Sequence, residues 1–128
     1  MKKFLAVLLV VLMMLSSNAY VMKAVALNEY SSKGNIDGFE VYGDVTGSRS
    51  TTSLSFNLKG MDPSELSFLL ESNGVSNRSG LQCAPMCHES IGTFPNGTVR
   101  LSISYFNTEE DIDYALSVLK KISKESNF

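Results

Sequence analysis

The hydrophobic period of this chain switches between two and about three and a half, and the switch points mark its elements. Ser53, Leu54, Ser55, Phe56, Asn57 and Leu58 alternate strictly between polar and apolar side chains. That period puts every apolar residue on one face, so Thr51 to Leu58 is predicted to be a strand with one buried side. Ile36 to Tyr42 alternates less regularly and predicts a shorter strand, stopped by Gly43-Asp44. Thr98 to Tyr105 sets Val99, Leu101, Ile103 and Tyr105 against Thr98, Arg100, Ser102 and Ser104. Arg100 is therefore expected on the face opposite its strand's apolar residues.

Two stretches carry helical signals. Between Gly60 and Asn73, Asp62 is a good N-cap and Pro63 suits the first helical position, where its missing N–H costs nothing. Glu65 falls at the capping-box position, Met61 and Leu66 can form a hydrophobic staple, and Gly74 is a natural stop. Leu66, Leu69 and Leu70 give the buried stripe. Thr108 caps a second helix whose start is crowded with Glu109, Glu110, Asp111 and Asp113 and whose end carries Lys120, Lys121 and Lys124. Both charge sets complement the helix dipole. Ile112, Ala115, Leu116, Leu119 and Ile122 form its apolar stripe.

Val21 to Tyr30 is also apolar and helix-compatible, and Ser31 to Asn35 closes it. Val75 to Arg78 reads as a short strand or extended segment leading into a loop that carries a cysteine, and Gly47 to Ser50 reads as a loop. The order is strand, strand, helix, strand, cysteine loop, strand, helix. It predicts an α+β fold, a small two-layer domain with helices packed on one face of a short sheet.

Composition narrows the function. The chain has 128 residues, 44% of them hydrophobic, enough for one small domain with a core. Its net charge is -2 and its 11 Lys and Arg residues are scattered, so nothing tracks a phosphate backbone. Nucleic acid is not an expected partner. Met1-Lys2-Lys3, the apolar run Phe4 to Leu15, and small residues through Ala19 resemble an export leader. The run is short of the roughly 20 residues that span a bilayer. A helix buried against the domain is the competing reading.

Cys83 stands between Arg78 and Arg100, and fixed cations favour a reactive thiolate. An arginine on a strand can also hold a carboxylate through two parallel hydrogen bonds. Plainer readings are a loop or buried thiol without a role, and a surface Arg100 paired with helix acids. Cys83, Cys87 and His88 lack the second, distant ligand pair of a structural zinc site, so no metal is expected. Asn77-Arg78-Ser79 and Asn96-Gly97-Thr98 fit the glycosylation triplet, which arises often by chance.

Several motifs occur together in register: Gly60-Met61-Asp62-Pro63-Ser64-Glu65, Arg78-Ser79-Gly80, Cys83-Ala84-Pro85, Gly92-Thr93, and Tyr105-Phe106-Asn107-Thr108-Glu109-Glu110. Over about residues 36 to 124 the chain resembles the C-terminal small domain of class V, pyridoxal-phosphate-dependent cysteine desulfurases. The resemblance implies sulfur transfer from L-cysteine to a persulfide on Cys83, with release of alanine. It implies that Arg100 holds the substrate carboxylate and that Arg78 lies beside the active site. It also implies a cytoplasmic setting, whereas a functional leader would mean export or membrane association.

The chain departs from that pattern in two ways. Gln82 occupies the position where close relatives often carry a histidine, and His88, the single histidine, is expected to be structural. No lysine stands in the Ser-x-His-Lys context that forms the cofactor Schiff base; Lys23, Lys33 and Lys59 have ordinary linker or loop settings. Pyridoxal phosphate is thus not expected to bind this chain alone.

The resulting division is a signal-like leader over 1–19, a linker or truncated helix over 20–35, the small domain over 36–124, and a tail over 125–128. The expected role is that of a truncated, C-terminal piece of a desulfurase-like enzyme, inactive alone, partnered by a separate cofactor-binding large domain or a sulfur acceptor. Homodimer formation is left open. The rival is an exported, non-catalytic binding module whose cysteines are bridged or inert. Intact mass of the expressed protein separates them: the desulfurase reading expects residues 1–19 retained and Cys83 free, and removal of the leader with a Cys83–Cys87 bridge would favour the rival.

Overall fold

Strict alternation along Ser53–Leu58 produces the middle strand of an antiparallel sheet. The computed structural model describes residues 36–43, 53–104 and 106–126. Strand β1 spans Phe39–Tyr42, β2 Ser53–Leu58 and β3 Val99–Ser102, in the order β1-β2-β3. Leu54 pairs with Leu101, Phe56 with both Val41 and Val99, and Leu58 with Phe39. The apolar residues of all three strands therefore share one face, and the Phe39 and Phe56 rings lie 4.9 Å apart. The strands predicted from Ile36 and through Tyr105 are shorter than expected, although Ile36 and Ile103 still join the core.

Helices α1 (Pro63–Ser72) and α3 (Glu109–Glu125) cover that face, and α2 (Pro85–Ser90) follows the cysteine turn. Leu66 and Leu70 from α1 and Leu116, Leu119 and Ile122 from α3 close over Phe56 and Val99. Val118 and Ser67, outside the expected stripes, are buried as well. Burying one such aliphatic side chain is worth about 1.5–3 kcal/mol, more than the ~1 kcal/mol of a single cap. Packing joins the two layers, and the caps fix where the helices begin and end.

At α1, the Ser64 N–H donates to the Asp62 carboxylate at 2.8 Å, while Glu65 is exposed. Gly74, at φ +75°, lets its own N–H reach the Glu71 carbonyl and the Val75 N–H reach Leu70, each at 2.9 Å. This left-handed stop satisfies two carbonyls that the helix leaves unpaired. At α3, Thr108 and Asp111 bond reciprocally, each side chain accepting from the other's N–H. The helix runs to Glu125, one residue into the predicted tail, and the Ser123 hydroxyl donates to the Asp37 carbonyl at 2.8 Å, tying α3 to the approach to β1.

A further lane adjoins β3. The Arg78 and Arg100 backbones exchange both hydrogen bonds, at 3.0 and 2.7 Å, and Gly80 and Thr98 do the same at 3.1 and 3.3 Å. Gly97 makes this approach possible, because a Cβ there would overlap the Gly80 carbonyl carbon and oxygen. Asn77 precedes the lane, and its amide nitrogen donates to the Ser67 and Val75 carbonyls. That nitrogen is thus engaged in the fold rather than presented for glycosylation. The stretches read as a leader, as a 20–35 linker with helix-compatible Val21 to Tyr30, and as a loop from Gly47 to Ser50 lie outside the described residues.

Gly97→Ala combines the overlap with the cost of a side chain at φ +79°, whereas Gly92→Ala, at φ +74°, meets open space. The expected losses are about 3 kcal/mol or more for Gly97→Ala and about 1 kcal/mol for Gly92→Ala. Urea midpoints measure both, and equal losses would show that the glycine contact does not constrain the lane.

Candidate functional site

On the face turned away from the helices, pairing aligns one polar row across the whole sheet. Tyr42 stands opposite Ser55, Ser55 opposite Arg100, and Arg100 opposite Arg78. Residues that exchange both backbone bonds project their side chains to the same side, so the two arginines leave the sheet together. Arg78 is exposed and Arg100 half-buried, and the Arg100 Nε is buried with no hydrogen-bond partner among the described residues. The acids of α3 belong to the other layer, which removes the pairing that would make Arg100 an ordinary surface residue. A buried donor of a charged group left unpaired costs about 1–3 kcal/mol or more. A carboxylate satisfies such a fork best.

Asn57 fixes the start of the arginine strand. Its amide nitrogen donates to the Gly97 carbonyl at 3.1 Å, and its oxygen accepts from the Val99 N–H at 3.3 Å. The Tyr42 hydroxyl donates to Glu40 at 3.0 Å. Partial burial pushes the Tyr42 phenol above its ordinary value, the bond to Glu40 and that carboxylate's charge add to the rise, and Asn57 opposes it. Sequence reasoning missed Tyr42, Ser55 and Asn57. The alternation of β2 already put Ser55 and Asn57 on the Arg100 face, but only the register shows which residues share a row.

Cys83 lies just beyond the arginine lane. The Ala84 N–H donates to the Leu81 carbonyl at 2.9 Å, closing a turn whose central residues, Gln82 and Cys83, have φ of +51° and +64°. Two positive φ values mark a primed turn, which glycine and asparagine favour. The left-handed conformation costs any other residue roughly 1–2 kcal/mol. Here the surroundings hold it. The Gln82 amide donates to the Arg78 and Thr98 carbonyls at 3.4 and 3.3 Å, and Pro85 begins α2 directly afterwards. Gln82 is thus a clamp between the turn and the arginine lane, and it leaves Cys83 exposed.

The loop expected around the cysteines contains α2, which the sequence reading did not include. His88 on this helix is buried, and its Nδ1 lies 2.7 Å from the Thr93 hydroxyl, while the Thr93 N–H donates to the His88 carbonyl. The histidine anchors the helix end. Cys87 is exposed, and both thiols are free. Among the described residues no group of His, Cys, Asp and Glu side chains is arranged to hold a metal ion. A cavity of about 300 Å³ lies at the other end of β3, lined by Val75, Leu101, Ile103, Ile112 and Tyr114, away from Cys83.

The described residues do not fit pyridoxal phosphate. A Schiff base needs a lysine amine, and the described lysines stand elsewhere. Lys59 packs against Gly38 on the β1 side of the sheet, and Lys120, Lys121 and Lys124 occupy the last turns of α3.

The model of the family described as Aminotransferase class-V matches residues 9–115 of this chain. The chain belongs to the class V aminotransferase family. The match takes in part of the apolar N-terminal stretch as well as the arginine lane and the cysteine turn. A protein named "Probable cysteine desulfurase" from Methanothermobacter thermautotrophicus is 36% identical over 96 residues, covering 73% of this chain and 24% of that protein. One of the same name from Staphylococcus epidermidis is 32% identical over 92 residues, covering 72% of this chain and 22% of its own. The chain thus spans about a quarter of the length of these relatives. Among solved structures, an apo cysteine desulfurase from Thermococcus onnurineus is similar with a TM-score of 0.74 at 24% identity, over 83% of this chain and 25% of that one. The cysteine desulfurase CsdA from Escherichia coli gives 0.67 at 22% identity, over 84% and 26%. These likenesses establish the α+β fold of the class V family.

Two outcomes follow from the geometry. Cys83→Gly relieves the left-handed strain that Cys83→Ala keeps, and its extra unfolded-state freedom cancels part of the gain. The glycine variant is expected to be more stable by about 0.5–1 kcal/mol in urea denaturation. An alanine variant of equal or greater stability would show the turn to be unstrained. For Tyr42, the folded protein holds its proton above the ordinary value of 10.0. This contribution to stability is fully present below that pH and is lost as pH rises through the folded-state value. Tyr42→Phe should therefore lose less stability than the parent above pH 10.0, measured as the urea midpoint on either side of it.

Proposed function

We propose that this domain is the sulfur-accepting and carboxylate-binding part of a cysteine desulfurase-like activity. The observation that carries the reading is the juxtaposition built by one backbone lane: two arginines leaving the sheet on one side, followed directly by an exposed thiol on a strained turn. The carboxylate of L-cysteine would lie against Arg100, whose Nε has no partner among the described residues, with Arg78 beside it. Two parallel bonds would fix the direction of the substrate and so where its sulfur points. Cys83 would receive that sulfur as a persulfide, with alanine as the other product. An accessible thiol on a turn meets this need; a thiol in the core does not.

Breaking the carbon–sulfur bond requires an electron sink, and the described residues supply none. The cofactor chemistry is therefore assigned to a large domain of the kind that makes up most of the length of the relatives. A sulfur acceptor would later take the sulfane atom from Cys83.

The test uses two preparations. The chain alone, with pyridoxal phosphate and L-cysteine, is expected to release no alanine above the cofactor's own background. A chimaera in which residues 53–126 replace the matching segment of the Methanothermobacter relative is expected to release alanine. In that chimaera Cys83→Ser should abolish persulfide formation, and Arg100→Ala should raise KM for L-cysteine by about 10-fold or more. A folded chimaera with normal activity after either substitution would overturn the reading.

A further inference from the structure

Cys87 has no part in the activity proposed above, yet it is an exposed thiol in the first turn of α2, four residues beyond Cys83. The segment between them is tightly held. The Ala84 N–H bonds to Leu81 at 2.9 Å, the Cys87 N–H bonds back to Ala84 at 3.0 Å, and Pro85 occupies the first turn of α2. The backbone is left-handed at Cys83, and both thiols are exposed at the two ends of this four-residue step. Of the neighbouring polar side chains, His88 is buried against Thr93 and the Ser90 hydroxyl donates to the Cys87 carbonyl, while Glu89 is exposed.

We infer that Cys87 is a resolving thiol, which discharges sulfane sulfur from Cys83 by closing a Cys83–Cys87 disulfide. The thiolate of Cys87 attacks the Cys83 Sγ of the persulfide. A Cys83–Cys87 bond forms, the bond between Cys83 Sγ and the outer sulfur breaks, and its electron pair leaves with that sulfur as hydrosulfide. The two cysteine sulfurs are oxidised and the sulfane sulfur is reduced to sulfide, so no further oxidant enters. The attacking and leaving groups are both sulfur anions, and access rather than burial sets the rate. The bridged turn has no thiol with which to accept sulfur until a dithiol reductant reopens it. The pair thus makes the sulfur-accepting turn redox-sensitive. The inference goes beyond the activity proposed above and does not depend on it, because any donor of sulfane sulfur can load Cys83.

The test uses the full chain, reduced and then treated with inorganic polysulfide, with thiols blocked by alkylation before intact-mass and peptide analysis. The parent is expected to lose two hydrogens, to yield a peptide linked through Cys83 and Cys87, and to release sulfide. Cys87→Ser is expected to retain one added sulfur on Cys83, at a level at least about tenfold above the parent. Cys83→Ser should give no internal link, and circular dichroism of the two serine variants shows whether each retains the fold. Equal persulfide on Cys83 in the parent and in folded Cys87→Ser would overturn the inference, as would absence of sulfur from Cys83 in that variant. Neither result bears on alanine release by the chimaera, so the two readings fail separately.

Discussion

The antiparallel pairing of residues 78–80 with residues 98–100 is the constraint on which the site depends. Four backbone hydrogen bonds join these segments, and Gly97 lies against the Gly80 backbone with no room for a side chain. Without this lane Arg78 would be an arginine on a connecting loop, and the turn at Cys83 would have nothing to close against. With it, Arg78 and Arg100 are adjacent on one face, and Gln82 finds carbonyls on both segments. The core fixes the other side of the same strand. Val99 and Leu101 are held under the helices, so Arg100 between them must face outward.

Energetic costs of this arrangement include the cysteine turn and Arg100. Gln82 and Cys83 adopt left-handed backbone that neither side chain favours, and Arg100 carries a buried donor with no partner among the described residues. Each costs on the order of 1–3 kcal/mol. The hydrophobic layer supplies several times that amount from Phe56, Leu66, Leu70, Val99 and Leu119, none of which retains any exposure. A fold with an ordinary core therefore tolerates an uncomfortable edge. The strained turn carries the exposed thiol itself, and a bound carboxylate would remove the cost at Arg100.

Much of the fold could be read from the pattern of side chains. The alternation of Ser53–Leu58, the Asp62-Pro63 helix start, the Gly74 stop and the Thr108 cap each carry a local physical signal, and each is realised. The direction of Arg100 followed from alternation alone. What remained hidden was non-local or depended on context. No local period announces which β2 residue faces Arg100, so the row through Tyr42 and Ser55 emerges only from register. Helix α2 is short, with no side-chain cap bond at Ala84, and Met86 within it and Ile91 at its C-cap stay exposed. Such a helix has no amphipathic stripe to detect, and Pro85 alone did not disclose it.

The same contrast separates the roles of the two most conspicuous polar residues around the cysteines. Gln82 was legible only as a departure from the histidine that similar chains carry, yet its side chain spans the arginine lane and holds the strained turn. An amide suits this task because it donates to two carbonyls at once in any protonation state. An imidazole at the same position would offer a proton to the thiol but only one donor when neutral. His88 is the reverse case: its chemistry attracts attention in the sequence, and its ring is spent on Thr93 inside the domain. Under the activity proposed for this domain, proton handling at Cys83 would come from outside the described residues. The activity proposed for this domain would likewise take its electron sink from outside the described residues.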